Sequence, residues 1–130
     1  MTSLLQIKNL KTILHTSTEP VRAVDELTLQ IEKGETFALL GESGCGKSMT
    51  ALSIMRLLPD AGEIVSGSVK LEGEDLLLKS EASVRSIRGK QVSMIFQEPM
   101  LSLNPVLTVG EQIREELERH LNLRGMELQE

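Results

Sequence analysis

The stretch Leu39–Thr50 reads LLGESGCGKSMT, and within it Gly41, Gly46, Lys47 and Ser48 stand at the offsets of G-x-x-x-x-G-K-[ST]. Each residue type has a physical reason for its place. Glycines let the chain bend tightly enough for backbone N–H groups to converge on phosphate oxygens, the lysine carries positive charge to the outer phosphates, and the hydroxyl can ligate Mg2+. With glycine usage near ~7% in average proteins, a match by accident in a chain this short has odds below about one in a hundred.

The flanks support a phosphate-binding loop (P-loop). Upstream, ETFALL (residues 35–40) is a short apolar run, which predicts a strand buried on both faces of a mostly parallel sheet. Downstream, Met49, Leu52, Ile54, Met55, Leu57 and Leu58 recur at helical spacing until Pro59 and Gly62 break the run. The expected order is strand, glycine loop, helix, which aims the positive end of the helix dipole at the phosphates.

Alternation marks three further strands. Leu5 and Ile7 alternate with Gln6 and Lys8, Leu27, Leu29 and Ile31 with polar residues, and Val69 and Leu71 with Lys70 and Glu72. These predict half-exposed antiparallel strands around the P-loop unit. Glu32, Lys33 and Gly34 form the turn into ETFALL. A polar stretch from Leu78 to Lys90 leads into QVSMIF, where Val92, Met94, Ile95 and Phe96 predict another buried strand. From Thr108 the pattern is helical, with Val109, Ile113, Leu117 and Leu121 in steps of four, a capping box of Thr108 and Glu111, and stop signals at Arg124 and Gly125.

Composition narrows the partners. The 130 residues carry 14 Lys and Arg against 19 Asp and Glu, a net charge of −5, which gives no broad electrostatic grip on nucleic acid. No apolar run approaches the ~20 residues of a membrane span, so no direct span is expected. The N-terminus lacks the pattern of a secretory signal. Cys45 stands alone and cannot form an internal disulfide. These features read as a cytoplasmic chain whose membrane contact comes through a partner.

The segment QEPMLSLNP (residues 97–105), taken with AVDELTLQIEKGETFALLGESGCGKS before it, resembles the ATP-binding subunits of ABC transporters. The likeness is to the subfamily that drives uptake of dipeptides, oligopeptides and nickel. It runs through GESGCGKS, MIFQEPM and SLNP, from Leu4 to about Leu121. It implies an α/β fold: a P-loop NTPase core with an antiparallel β subdomain, residues 1–130 being the N-terminal part of the nucleotide-binding domain, truncated before the signature and Walker B regions.

The resemblance also implies roles. ATP and Mg2+ are the expected ligands, and Gly41, Glu42, Ser43, Gly44, Cys45, Gly46, Lys47, Ser48 and Met49 would bind the nucleotide. Lys47 would reach the β- and γ-phosphates, and Ser48 would ligate Mg2+. Gln97 would be the Q-loop glutamine, touching Mg2+ or the attacking water and moving with the γ-phosphate. Residues 98–105 would lie against membrane-embedded permease subunits on the cytoplasmic face of the membrane, and a second ATPase subunit would pair head to tail.

The run MIF followed by Glu98 superficially matches a Walker B strand and its acid, but the acid comes one position late, so Gln97 reads as Q-loop. An LSGGQ-type signature, a Walker B Asp, a catalytic Glu and a switch His do not occur in the 130 residues. His15 and His120 lack the switch context and read as surface histidines. TILHTSTEP (residues 12–20) offers no aromatic for adenine, leaving Leu14, His15 and Val21 to pack against it, while Phe37 and Phe96 read as strand residues in the interior. Two other readings stay open: a soluble P-loop enzyme such as a small-molecule kinase, which the QEPMLSLNP segment argues against, and a nucleotide-binding module without turnover.

Overall fold

The computed structural model describes residues 3–42 and 46–123. Ser43, Gly44 and Cys45, and the stop signals Arg124 and Gly125, lie outside them. The chain forms two compact units, Met1–Val84 and Arg85–Glu130.

The first unit is built on an antiparallel four-stranded sheet in the order β2-β1-β3-β4. Its strands are β1 (Ser3–Leu14), β2 (Val21–Glu32), β3 (Gly62–Leu71) and β4 (Glu74–Asp75), and helix α1 (Lys47–Met55) follows the glycine loop. The alternating segments are all strands, and β1 and β2 extend beyond the runs that announced them. In the central strand β1, Ile7 stands opposite Leu29 on β2 and Val69 on β3. Ile7, Leu10 and Val69 are fully buried, and Val24, Met55 and Leu76 complete this side of the core.

Burial along β1 breaks its period of two between Ile7 and Leu10. The register against both neighbours shifts there, and Asn9 takes a left-handed φ of 47°. This is a bulge, an extra residue that re-aims every later side chain. The Asn9 N–H donates to Thr28 Oγ1 at 2.9 Å, and the Thr28 hydroxyl donates to Asn9 Oδ1 at 3.1 Å, so the lost ladder bond is replaced. After the bulge Leu10 and Thr12 point inward, both fully buried.

Two expectations in this unit need correction. ETFALL runs without ladder partners among the described residues, and Phe37, Leu39 and Leu40 are 43%, 41% and 89% exposed. A strand buried on both faces requires flanking strands and covering layers, and apolar content alone supplies neither. Helix α1 stops at Met55, before Leu57 and Leu58: Arg56 is left-handed at φ 53°, and the Leu57 N–H bonds back to Leu52 O at 2.9 Å, closing the helix end. The Arg56 guanidinium donates to Leu76 O at 3.1 Å and Lys79 O at 2.6 Å, fastening that end to the chain after β4. The polar stretch holds a short helix, α2 (Glu81–Ile87), whose start is bonded by Ser80: its hydroxyl accepts from Ser83 N at 3.2 Å.

The second unit contains a 3-10 turn at Pro99–Ser102 and helix α3 (Val109–Leu121). QVSMIF is a further correction: among the described residues only its Val92 pairs, through an isolated parallel bridge to Arg88, while Ile95 is 90% exposed and Phe96 is exposed as well. The capping box of α3 is formed as expected. Thr108 Oγ1 accepts from the Glu111 N–H at 3.1 Å, and the Glu111 carboxylate accepts from the Thr108 N–H at 2.7 Å. Those bonds from Thr108 hold the Glu111 carboxyl below the ordinary carboxylate range. His120 is not a surface histidine. Its side chain is only 9% exposed, 3.2 Å from Glu116 Oε2, and it closes over Gly89, where a Cβ would come within 3.0 Å of the Glu116 and His120 side-chain ends on a left-handed backbone of φ 83°.

Candidate functional site

Gly46 sits directly before α1 with φ 94°, a conformation that costs glycine little. A Cβ there would also lie 2.2 Å from the carbonyl oxygen of Ala23, so the loop backbone rests directly on β2. Glycine is required twice over, by conformation and by contact. The next turn is tied down by Thr50, whose N–H and hydroxyl both donate to the Gly46 carbonyl at 2.9 Å.

This start leaves the first N–H groups of α1 without intrahelical acceptors. Among the described residues no side chain caps them, and no acidic residue stands in the first turn. The Lys47 ammonium folds back on its own loop, donating to the carbonyls of Gly41 and Glu42. Among the described residues it meets no carboxylate. Uncapped amides, a helix dipole and an ammonium held only by neutral carbonyls attract an anion, and they suit phosphate oxygens in particular. Beside them Ser48 is exposed and Met49 half-buried.

A cavity of about 310 Å3 opens next to Lys47, bounded by Arg22, Ala23 and Asp25 on β2, by Leu39 and Leu40, and by Thr50 on α1. It falls at the small end of the range for ligand sites. The β2 residues on its wall are not flagged by any motif, because they meet the loop only through the fold. Leu14, His15 and Val21 do not line it. They share one end of the β1–β2 pair, where Leu14 faces Val21 and His15 Nε2 lies 2.9 Å from Glu63 Oε2.

Among the described residues no group of three or more His, Cys, Asp or Glu is placed to hold a metal. The exposed Ser48 hydroxyl in the first turn of α1 is an oxygen donor of the kind Mg2+ takes alongside phosphate oxygens and waters. Gly41, Glu42, Gly46, Lys47, Ser48 and Met49 are thus gathered in the first unit, while Gln97 belongs to the second. There Gln97 is exposed just before the Pro99–Ser102 turn and lines an open cleft of about 560 Å3 with Phe96, Glu98, Leu101 and Ser102.

Comparison with known proteins places these features in context. The family model described as ABC transporter matches residues 24–130. The oligopeptide transport ATP-binding protein AppD of Bacillus subtilis (strain 168) is 55% identical over 128 residues, covering 98% of this chain and 39% of that protein. The dipeptide transport ATP-binding protein DppD of the same organism is 46% identical over 121 residues, covering 92% of this chain and 36% of its own length. The chain therefore spans less than half of these relatives. Among solved structures, the ATP-binding cassette MJ0796, in a dimeric post-hydrolysis state bound to ADP and Pi, superposes with a TM-score of 0.73 at 24% identity, over 93% of this chain and 49% of that one. That likeness concerns the fold.

Proposed function

The chain belongs to the ABC transporter family, and from that premise we propose that it is the ATP-binding, energy-coupling component of an importer for peptides or a similar small solute. The observation that carries the reading is the start of α1, where the left-handed Gly46, the uncapped amides and Lys47 form one anion-binding cradle. Residues 1–130 are read as the part of the nucleotide-binding domain that holds the P-loop and the Q-loop.

In this reading the first-turn amides of α1 and the loop residues from Gly41 to Met49 hold the phosphates. Lys47 leaves the Gly41 and Glu42 carbonyls for the β- and γ-phosphates, exchanging neutral acceptors for charged ones, which makes stronger bonds. The Ser48 hydroxyl, and Gln97 from the Q-loop, would be the protein contacts of Mg2+. Bound MgATP supplies the transferable phosphoryl group and the metal charge. Gln97 reports the γ-phosphate through an amide that can donate or accept without adding charge.

Met100 and Leu101 are 77% and 78% exposed. Large apolar side chains in open solvent mark an interaction surface, which supports residues 98–105 as the contact with the permease. The chain would then work at the cytoplasmic face of the membrane through that partner, paired head to tail with a second ATPase subunit. No helix among the described residues is long and apolar enough to cross a membrane.

Replacing Lys47 with Ala tests the reading. Losing one charge-assisted contact of roughly 1.5–3 kcal/mol should weaken MgATP binding about tenfold or more, with the circular dichroism spectrum unchanged. Wild-type affinity in folded Lys47→Ala protein would overturn the assignment.

A further inference from the structure

We propose that Thr12 and Ser53 are positioning residues for the nucleotide phosphates: their buried hydroxyls fix the direction in which α1 presents its first amides. The inference rests on the reading of Gly46–Met49 as a phosphate cradle. Neither side chain reaches the cradle, and both are fully buried.

Thr12 Oγ1 lies 2.8 Å from Ser53 Oγ, and Ser53 Oγ donates to the Met49 carbonyl at 2.7 Å. A serine hydroxyl has one proton. With that proton on Met49, the Thr12 hydroxyl must be the donor to Ser53. The chain of bonds therefore runs one way, from strand β1 through Ser53 to Met49, which belongs to the turn whose N–H groups form the cradle.

The tie works together with the contact at Gly46. That glycine presses its backbone against Ala23 on β2. The next β2 residue, Val24, is the register partner of Thr12 on β1. Ser53 lies two turns along α1 from Gly46, about 10 Å at 1.5 Å per residue. Helix α1 is thus held against the β1–β2 pair at two neighbouring positions, while Arg56 fastens its far end to the chain after β4. Gly46 and Arg56 hold the two ends, and the Thr12–Ser53 bond ties the body of the helix between them to β1, through the carbonyl of Met49 in the first turn.

A hydroxyl pair adds what apolar packing lacks. Apolar side chains can slide over one another at little cost, whereas a hydrogen bond weakens steeply as its angle departs from linear. The bulge at Asn9 makes the second point possible. Without its extra residue, β1 would keep the phase that buries Ile7, and Thr12 would face away.

The test measures ADP binding to the full chain by titration calorimetry, with thermal unfolding alongside. Thr12→Val keeps the shape and removes the donor, Thr12→Ser keeps the donor, and Val69→Ala lowers stability from a fully buried site on β3. Thr12→Val should bind ADP about five- to tenfold more weakly, Thr12→Ser should come within about twofold of wild type on the same scale, and Val69→Ala should bind normally despite a lower unfolding temperature. If Thr12→Val does not fold, Ser53→Ala carries the same expectation. Wild-type ADP affinity in Thr12→Val, or a loss in Val69→Ala equal to that in Thr12→Val, would overturn the proposal. Lys47→Ala separates the two levels: if it weakens ADP binding and Thr12→Val does not, only the positioning role falls. If Lys47→Ala binds ADP normally, the cradle itself is wrong.

Discussion

Gly46 is the residue on which sequence and geometry agree most closely. Its left-handed φ and the 2.2 Å approach of an added Cβ to the Ala23 oxygen penalise any side chain by separate routes. Gly46→Ala should therefore lower stability by roughly 1–3 kcal/mol, the usual cost of one strongly strained backbone position, and abolish MgATP binding by displacing the cradle. Chemical denaturation and nucleotide titration on the same preparation check both parts. Gly46, Lys47 and Ser48 were legible in the sequence because the motif is a code for backbone shape: fixed spacing at one bend needs no information from elsewhere. Ala23 and the Thr12–Ser53 pair were not. The two hydroxyls are 41 positions apart, and each alone is an ordinary polar residue of a strand or helix.

Among the elements, α3 shows how a local rule sets a boundary. Thr108 and Glu111 satisfy each other's backbone N–H groups, so the helix starts where the capping box places it. Thr108→Ala should cost about 1 kcal/mol, seen as reduced helicity of α3. The same box gives a pH dependence. The Thr108 bonds depress the Glu111 pKa in the folded state. Its contribution is therefore complete above the unfolded carboxylate pKa and fades as pH falls through the depressed folded value. An acid titration of helicity should show this loss in wild type and not in Glu111→Gln, whose amide oxygen accepts the same N–H without titrating. Matching acid profiles for the two proteins would contradict it. The antiparallel strands were legible for a similar reason, since alternation states which side of a sheet each residue faces. ETFALL and QVSMIF were misread because an apolar run encodes a demand for burial without naming the partner that meets it. Phe37 and Phe96 remain exposed as a result.

At the scale of the whole molecule, binding and hydrolysis separate. The groups proposed to hold phosphate are local: the amides of α1, Lys47 and Ser48 lie within one loop and one helix turn. Hydrolysis asks for more, because phosphoryl transfer is accelerated by positioning the attacking water and by fully held metal charge, and those contributions carry most of the rate. The 130 residues contain no Walker B Asp, no catalytic Glu after it and no LSGGQ-type segment. Gln97 can orient a water but cannot accept its proton as a carboxylate does. A purified 130-residue chain should therefore bind MgATP in a Lys47-dependent way and yet release phosphate no faster than its Lys47→Ala variant. Nucleotide titration and a phosphate-release assay on one preparation decide the matter. Turnover well above the Lys47→Ala background would mean that a carboxylate already present in this chain, and assigned no catalytic part above, serves as the base.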